Sequence, residues 1–230
     1  MKCIGLLGGM SWESTVSYYQ ALNRGVRERL GGLHSARVLL SSVDFAEIER
    51  LQHAGDWPAT ARLLAAEARA VQAGGADFLL LGTNTMHRVA PEIEAAIDIP
   101  LLHIADATAR RLLADGVTRV GLLGTRFTME QAFYKGRLQE RFGLEVLVPG
   151  DAARERVHRI IYDELCLGDI RESSQAEYLA IIADLAEAGA QAVILGCTEI
   201  ALLVGACQAA VPLYDTTAIH AEAAVALALS

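Results

Sequence analysis

The amino-acid sequence predicts an α/β fold of two similar parallel-sheet domains. Short apolar runs that end in glycine or a small polar residue alternate with helix-patterned stretches, the signature of βα units around a parallel sheet. Blocks of the first half recur in the second in the same order, so the chain reads as a duplicated unit. With 53% hydrophobic residues over 230 positions, it has enough apolar side chains for one large or two small cores, which argues against disorder.

The elements follow in order. Cys3–Leu7 is an apolar run closed by Gly8-Gly9 and reads as the first strand, leading into a helix over Glu13–Leu30. Ala36–Ser41 is the second strand. Trp57–Ala73 follows as a helix, with Pro58 in a first turn where proline is tolerated. Phe78–Leu81, closed by Gly82, is a third strand, and Pro91–Ala96 is a short helix that again has proline at its start. Leu101–Ile104 and Arg119–Leu123 are strands separated by a helix over Ala105–Asp115. A helix over Met129–Phe142, a strand over Glu145–Val148, and helices over Ala152–Leu167 and Ser174–Ala188 come next. Strands Val193–Leu195 and Leu213–Tyr214 complete the set, and Ala221–Leu229 reads as a buried helix.

The repeat is specific. Ile4-Gly5-Leu6-Leu7-Gly8 is answered 116 residues on by Val120-Gly121-Leu122-Leu123-Gly124. Gly75-Ala76-Asp77-Phe78-Leu79-Leu80-Leu81-Gly82-Thr83 is answered 114 residues on by Gly189-Ala190-Gln191-Ala192-Val193-Ile194-Leu195-Gly196-Cys197. Ile99-Pro100-Leu101-Leu102-His103 is answered 112 residues on by Val211-Pro212-Leu213-Tyr214-Asp215. Two halves of about equal length suggest a pseudo-twofold. Because each proline-led strand feeds a helix that can cross to the other half, residues 1–103 plus 213–230 are expected as one domain and 104–212 as the other. Open α/β sheets bind ligands beyond the carboxyl ends of their strands. If the halves face each other, Gly82-Thr83-Asn84-Thr85 and Gly196-Cys197-Thr198-Glu199 flank one cleft from opposite sides, as a two-faced reaction requires. Fold duplication without shared chemistry gives the same repeat, so the loop residues must decide.

Several function classes are excluded or disfavoured. A net charge of −8, a pI near 5.3 and interspersed charges leave no basic patch for nucleic acid. The first apolar run is too short for a secretory leader, and the last is about half of the roughly 20 residues that cross a bilayer, so no membrane partner is expected. Cys3, Cys166, Cys197 and Cys207 lie far apart without CxxC pairing, which suits a reducing cytoplasm and neither a disulfide framework nor a metal site.

Cys197 is the chemically suggestive cysteine. It follows a strand and a glycine, beside backbone N–H groups that favour a thiolate. Cys3 in a core strand, Cys166 in a helix and Cys207 in an alanine-rich stretch read as packing residues. Thr83 holds the answering position, and Asn84 and Thr85 beside it can donate hydrogen bonds to a carboxylate; Thr83 alone would read as a helix cap. His103 at a strand end supports the site or is simply a buried hydrogen-bonded histidine. Trp12 and Met86 read as core. Glu199 would raise the neighbouring thiol pKa unless turned away, and is expected to start a helix and orient a substrate ammonium.

Taken together, Gly5-Leu6-Leu7-Gly8-Gly9-Met10-Ser11-Trp12-Glu13-Ser14-Thr15, Asn84-Thr85-Met86-His87 and Gly196-Cys197-Thr198-Glu199 resemble the aspartate/glutamate racemase family essentially end to end. The similarity is greatest to the bacterial L-aspartate/glutamate-specific racemases, in which threonine replaces the first of two catalytic cysteines, as at Thr83. The resemblance implies flavodoxin-like domains and an active site in the cleft between them. It also implies a cofactor-independent two-base reaction on a small-molecule amino acid, and a homodimer. Pyridoxal phosphate is not implied, and the only lysines, Lys2 and Lys135, lie outside the strand-end loops. A thiol pKa of about 8.5 can be tuned toward neutrality whereas a threonine hydroxyl cannot, so Cys197 is expected to deprotonate the L-enantiomer and Thr83 to donate or relay a proton. Backbone amides of Asn84, Thr85, Thr198 and Glu199, with Met10, are expected at the α-carboxylate. By resemblance the side-chain carboxylate falls to Gln52 with the loop containing Thr125 and Thr128; Gln52 reads equally as a solvated helix-end residue, and Arg126 as a surface charge. A lyase, decarboxylase or isomerase using Cys197 alone, and a non-catalytic amino-acid sensor, are the alternatives.

Overall fold

The computed structural model describes residues 1–205 and 208–230, which leaves Cys207 outside the described residues. The chain forms two compact units, Met1–Ile104 with His220–Ser230, and Ala105–Ile219.

In the first unit, strands β1 (Ile4–Gly8), β2 (Val38–Ser42), β3 (Phe78–Leu81) and β4 (Leu101–Leu102) form a parallel sheet in the order β2-β1-β3-β4. The central strands are apolar throughout because helices cover both faces. Alternate residues point to opposite sides. Ile4, Leu6, Phe78 and Leu80 pack against Tyr18, Leu22 and Val26 of α1 (Trp12–Leu30) and against Ala221, Ala224 and Val225 of α11 (Thr216–Ala228). Leu7, Leu79 and Leu81 pack on the other face against Leu64, Ala68 and Val71 of α3 (Trp57–Ala73). The i, i+4, i+8 spacing of Tyr18, Leu22 and Val26 gives α1 its buried stripe, each large side chain contributing about 1.5–3 kcal/mol. Two further helices, α2 (Phe45–His53) and α4 (Ala90–Glu94), complete this unit.

The second unit repeats the topology. Strands β5 (Arg119–Gly124), β6 (Glu145–Leu147), β7 (Ala192–Gly196) and β8 (Leu213–Asp215) are parallel in the order β6-β5-β7-β8. Leu123, Val193 and Leu195 pack against Val157, Ile160 and Ile161 of α8 (Asp151–Asp163) and Tyr178, Ile182 and Leu185 of α9 (Glu172–Glu187). The sequence repeat is thus a repeat of strand order.

Several expectations are revised. Of residues 213–230, expected in the first domain, 213–219 fall in the second unit: β8 pairs with β7, and the chain rejoins the first unit only at His220, inside α11. The helix expected over Met129–Phe142 is two helices, α6 (Arg126–Glu130) and α7 (Ala132–Phe142), parted by the extended backbone of Gln131. Cys166 lies in a 3₁₀ turn, Leu165–Leu167, beyond the end of α8. Trp12, expected in the core, is 65% exposed at the first position of α1, beside the buried stripe and not within it. Met86 is buried as expected.

Candidate functional site

The order β2-β1-β3-β4 changes direction between β1 and β3, and a crevice opens beyond the strand ends at such a switch point. Two of the singled-out loops start there. After β1, Gly9 has φ +90, and a Cβ at this position would stand 2.3 Å from the Val43 carbonyl oxygen. Only glycine fits both constraints. Thr15 then ties the loop down: its hydroxyl accepts from the Gly9 N–H at 2.8 Å and donates to the Ser11 carbonyl at 2.8 Å. Met10 is buried in this loop. After β3, the Gly82 N–H donates to Leu7 O at 2.8 Å, and buried Thr83, Asn84 and Thr85 lead into a 3₁₀ turn over Thr85–Val89. Gln52 lies on α2, which begins just beyond the end of β2. It is 2% exposed, so its reading as a solvated helix-end residue is corrected.

In the second unit the same switch falls between β5 and β7. Gly124 and Gly196 are register partners there; a Cβ on Gly196 would come within 2.7 Å of Leu123 O and 3.4 Å of Thr128 Cγ2. The missing side chains let Thr128 stand against the base of the Cys197 loop. Thr125 caps α6, its hydroxyl lying 3.3 Å from that of Thr128. The Arg126 guanidinium pairs with Glu155, both about half exposed, which favours its surface-charge reading.

Cys197 is buried at the tip of β7, and its thiol donates to Glu199 Oε2 at 2.9 Å. Thr198 Oγ donates to the same oxygen at 2.8 Å. Glu199, 2% exposed, precedes the short helix α10 (Ile200–Val204) without capping it, its carboxylate being turned to the thiol. The expected pull of backbone N–H groups toward a thiolate is therefore outweighed. Burial first, then the Glu199 charge, push the thiol well above its ordinary value, against an opposing backbone hydrogen bond from Glu199. In this arrangement the thiol holds its proton and the carboxylate is placed to receive it.

A histidine cluster lies behind Thr83. His87 Nδ1 is 2.7 Å from Thr83 O, and the Ile104 N–H donates to His87 Nε2 at 3.2 Å. His103 lies against it, with ring centroids 4.3 Å apart. His220 Nε2 contacts Leu102 O at 2.7 Å, and Tyr18 OH lies 2.8 Å from His220 Nδ1. Sequence reasoning left His87 without a role, although its spacing of four from Thr83 on a helical turn was a usable signal. Among the described residues, no group of three or more His, Cys, Asp or Glu side chains is arranged to hold a metal ion, and no helix is long and apolar enough to cross a membrane.

Two α/β units of one strand order, each presenting loops beyond its two central strands, define a duplicated α/β protein with sites at strand carboxyl ends. Within that class, the chain belongs to the Asp/Glu/hydantoin racemase family, which matches residues 7–224. A Yersinia pestis protein provisionally assigned as an Asp/Glu racemase is 56% identical, with a TM-score of 0.93 and full coverage of both chains. An aspartate racemase homologue from Pyrococcus horikoshii is 32% identical, with a TM-score of 0.86 and full coverage of both. A broad specificity amino-acid racemase of Bacillus subtilis is 27% identical over 68% of this chain and 66% of its own length, so the match spans just under two thirds of that relative.

Proposed function

We propose that the protein racemises the L-enantiomers of aspartate and glutamate without a cofactor, exchanging the α-proton at Cys197 and passing a proton to the opposite face from Thr83. The observation that carries this reading is the buried thiol at the tip of β7, hydrogen-bonded to a buried carboxylate, in the loop that answers Thr83 in the repeat. Glu199 takes the thiol proton, and the thiolate removes the α-proton of the L-enantiomer. Thr83 delivers a proton to the other face and is refilled from water. Backbone amides of Asn84, Thr85, Thr198 and Glu199, with Met10, hold the α-carboxylate; Gln52, Thr125 and Thr128 hold the side-chain carboxylate.

The test is deuterium exchange at the α-carbon of L-aspartate and L-glutamate, followed by NMR with wild type, Cys197→Ser and Thr83→Ala. Cys197→Ser should lose exchange by at least about 10³-fold, since a serine hydroxyl is not ionised near neutral pH. Thr83→Ala should keep exchange and lose inversion. Folded wild type without exchange on either amino acid would end the racemase reading. A homodimer in the cytoplasm completes the proposal, the dimer supported by exposed Trp12, Val16 and Tyr19 along one stripe of α1. Val16→Glu should shift the species to monomer in light scattering, and an unchanged mass would exclude that stripe as the interface.

A further inference from the structure

We propose that His87 is the positioning residue of Thr83: a neutral imidazole locked in a single tautomer that fixes the peptide following Thr83, and with it the direction of the Thr83 hydroxyl. The inference rests on the proton-donor role given to Thr83 above.

The tautomer follows from the partners. A carbonyl oxygen only accepts and a backbone N–H only donates. Thr83 O at 2.7 Å therefore requires a proton on Nδ1, and the Ile104 N–H at 3.2 Å requires a bare lone pair on Nε2. A second proton on the ring would set N–H against N–H at Nε2, in a side chain that is 2% exposed. The donor strand is itself held in the same way. His220 Nε2–H binds Leu102 O at 2.7 Å and leaves Nδ1 to accept from Tyr18 OH at 2.8 Å. One imidazole thus steadies the segment whose N–H orients the other.

The two units differ at this point. The carbonyl of Cys197 receives a backbone N–H, that of Ile200, at 3.1 Å. The residue 114 positions after His87 is Ala201, whose side chain has no donor to offer. In the first unit the His87 N–H reaches back only to Asn84 O, at 3.2 Å, and the imidazole takes the carbonyl before it. A threonine hydroxyl sits one bond beyond Cβ and has few rotamers, so its position follows the backbone closely. The strand tip bearing Thr83 is therefore aimed by a side chain, where the tip bearing Cys197 is aimed by its own backbone.

The experiment compares wild type, His87→Asn and His87→Phe, reading α-deuterium incorporation into L-aspartate and formation of D-aspartate in the same samples. The asparagine amide can donate from the Nδ1 position; phenylalanine cannot. His87→Phe should lower the ratio of inversion to exchange by about tenfold or more, equivalent to about 1.4 kcal/mol, and His87→Asn should restore most of it. An unchanged ratio in His87→Phe, or inversion and exchange falling together in folded protein, overturns the proposal. Long-range ¹H–¹⁵N NMR of the wild type at neutral pH should show His87 protonated at Nδ1; an Nε2–H tautomer overturns the lock. This measurement needs no turnover, so wild type without exchange would remove the racemase reading while the lock is still decided by the spectrum.

Discussion

At the scale of single residues, the Cys197–Glu199 contact makes a prediction with two opposite signs. The carboxylate raises the thiol by charge and by accepting its hydrogen bond, so Glu199→Gln should lower the thiol pKa and speed iodoacetamide alkylation of Cys197 at pH 8. The same change removes the group that receives the thiol proton, so exchange at the substrate α-carbon should fall by about tenfold or more. A simple structural lesion would lower both rates, and that result would exclude the proton-accepting role. The position of Cys197 was readable from the sequence because a glycine and an apolar run locate a strand tip. The direction of the Glu199 side chain was not, since a rotamer two residues from the thiol is chosen by burial and by Thr198, neither of which leaves a mark on the local pattern.

At the scale of elements, the loop after β1 depends on a left-handed glycine with backbone against its open side. Gly9→Ala should destabilise the protein by about 2–4 kcal/mol, combining a strained φ with a clash at Val43. Gly136→Ala is the contrasting case. It lies inside α7 with its nearest neighbour 3.4 Å from a new Cβ, and should stabilise by up to about 1 kcal/mol. Urea titrations of the two variants check the pair, and equal effects would refute the account. All eight strands among the described residues were legible because each is a short apolar run stopped by glycine, proline or a polar residue. Helix α2 was not, since only Ile48, Leu51 and Gln52 are buried along its nine residues. Helix α10 is the apolar pentapeptide IALLV, too short to show a period. The break at Gln131 has neither proline nor glycine to announce it.

At the scale of the whole molecule, His220 couples acid to stability. Burial lowers its pKa from 6.5 to about 4, so the folded state keeps the ring neutral while the unfolded chain takes up a proton. Its contribution is complete above pH 6.5 and is lost as the pH falls toward 4, about 3 kcal/mol in all. The stability of His220→Gln should therefore decline less between pH 7 and pH 4 than that of wild type, and parallel declines would contradict this. His220 also marks where the chain re-enters the first unit. The core of that unit needs Ala221, Ala224 and Val225, and the Lys2 N–H pairs with Ala228 O at 2.8 Å. The second unit, Ala105–Ile219, draws on one unbroken stretch. On a ribosome, where domains fold as units, the later half can mature first. The amino-terminal half, although made earlier, waits with an open seam for a strip of chain synthesised more than a hundred residues after it.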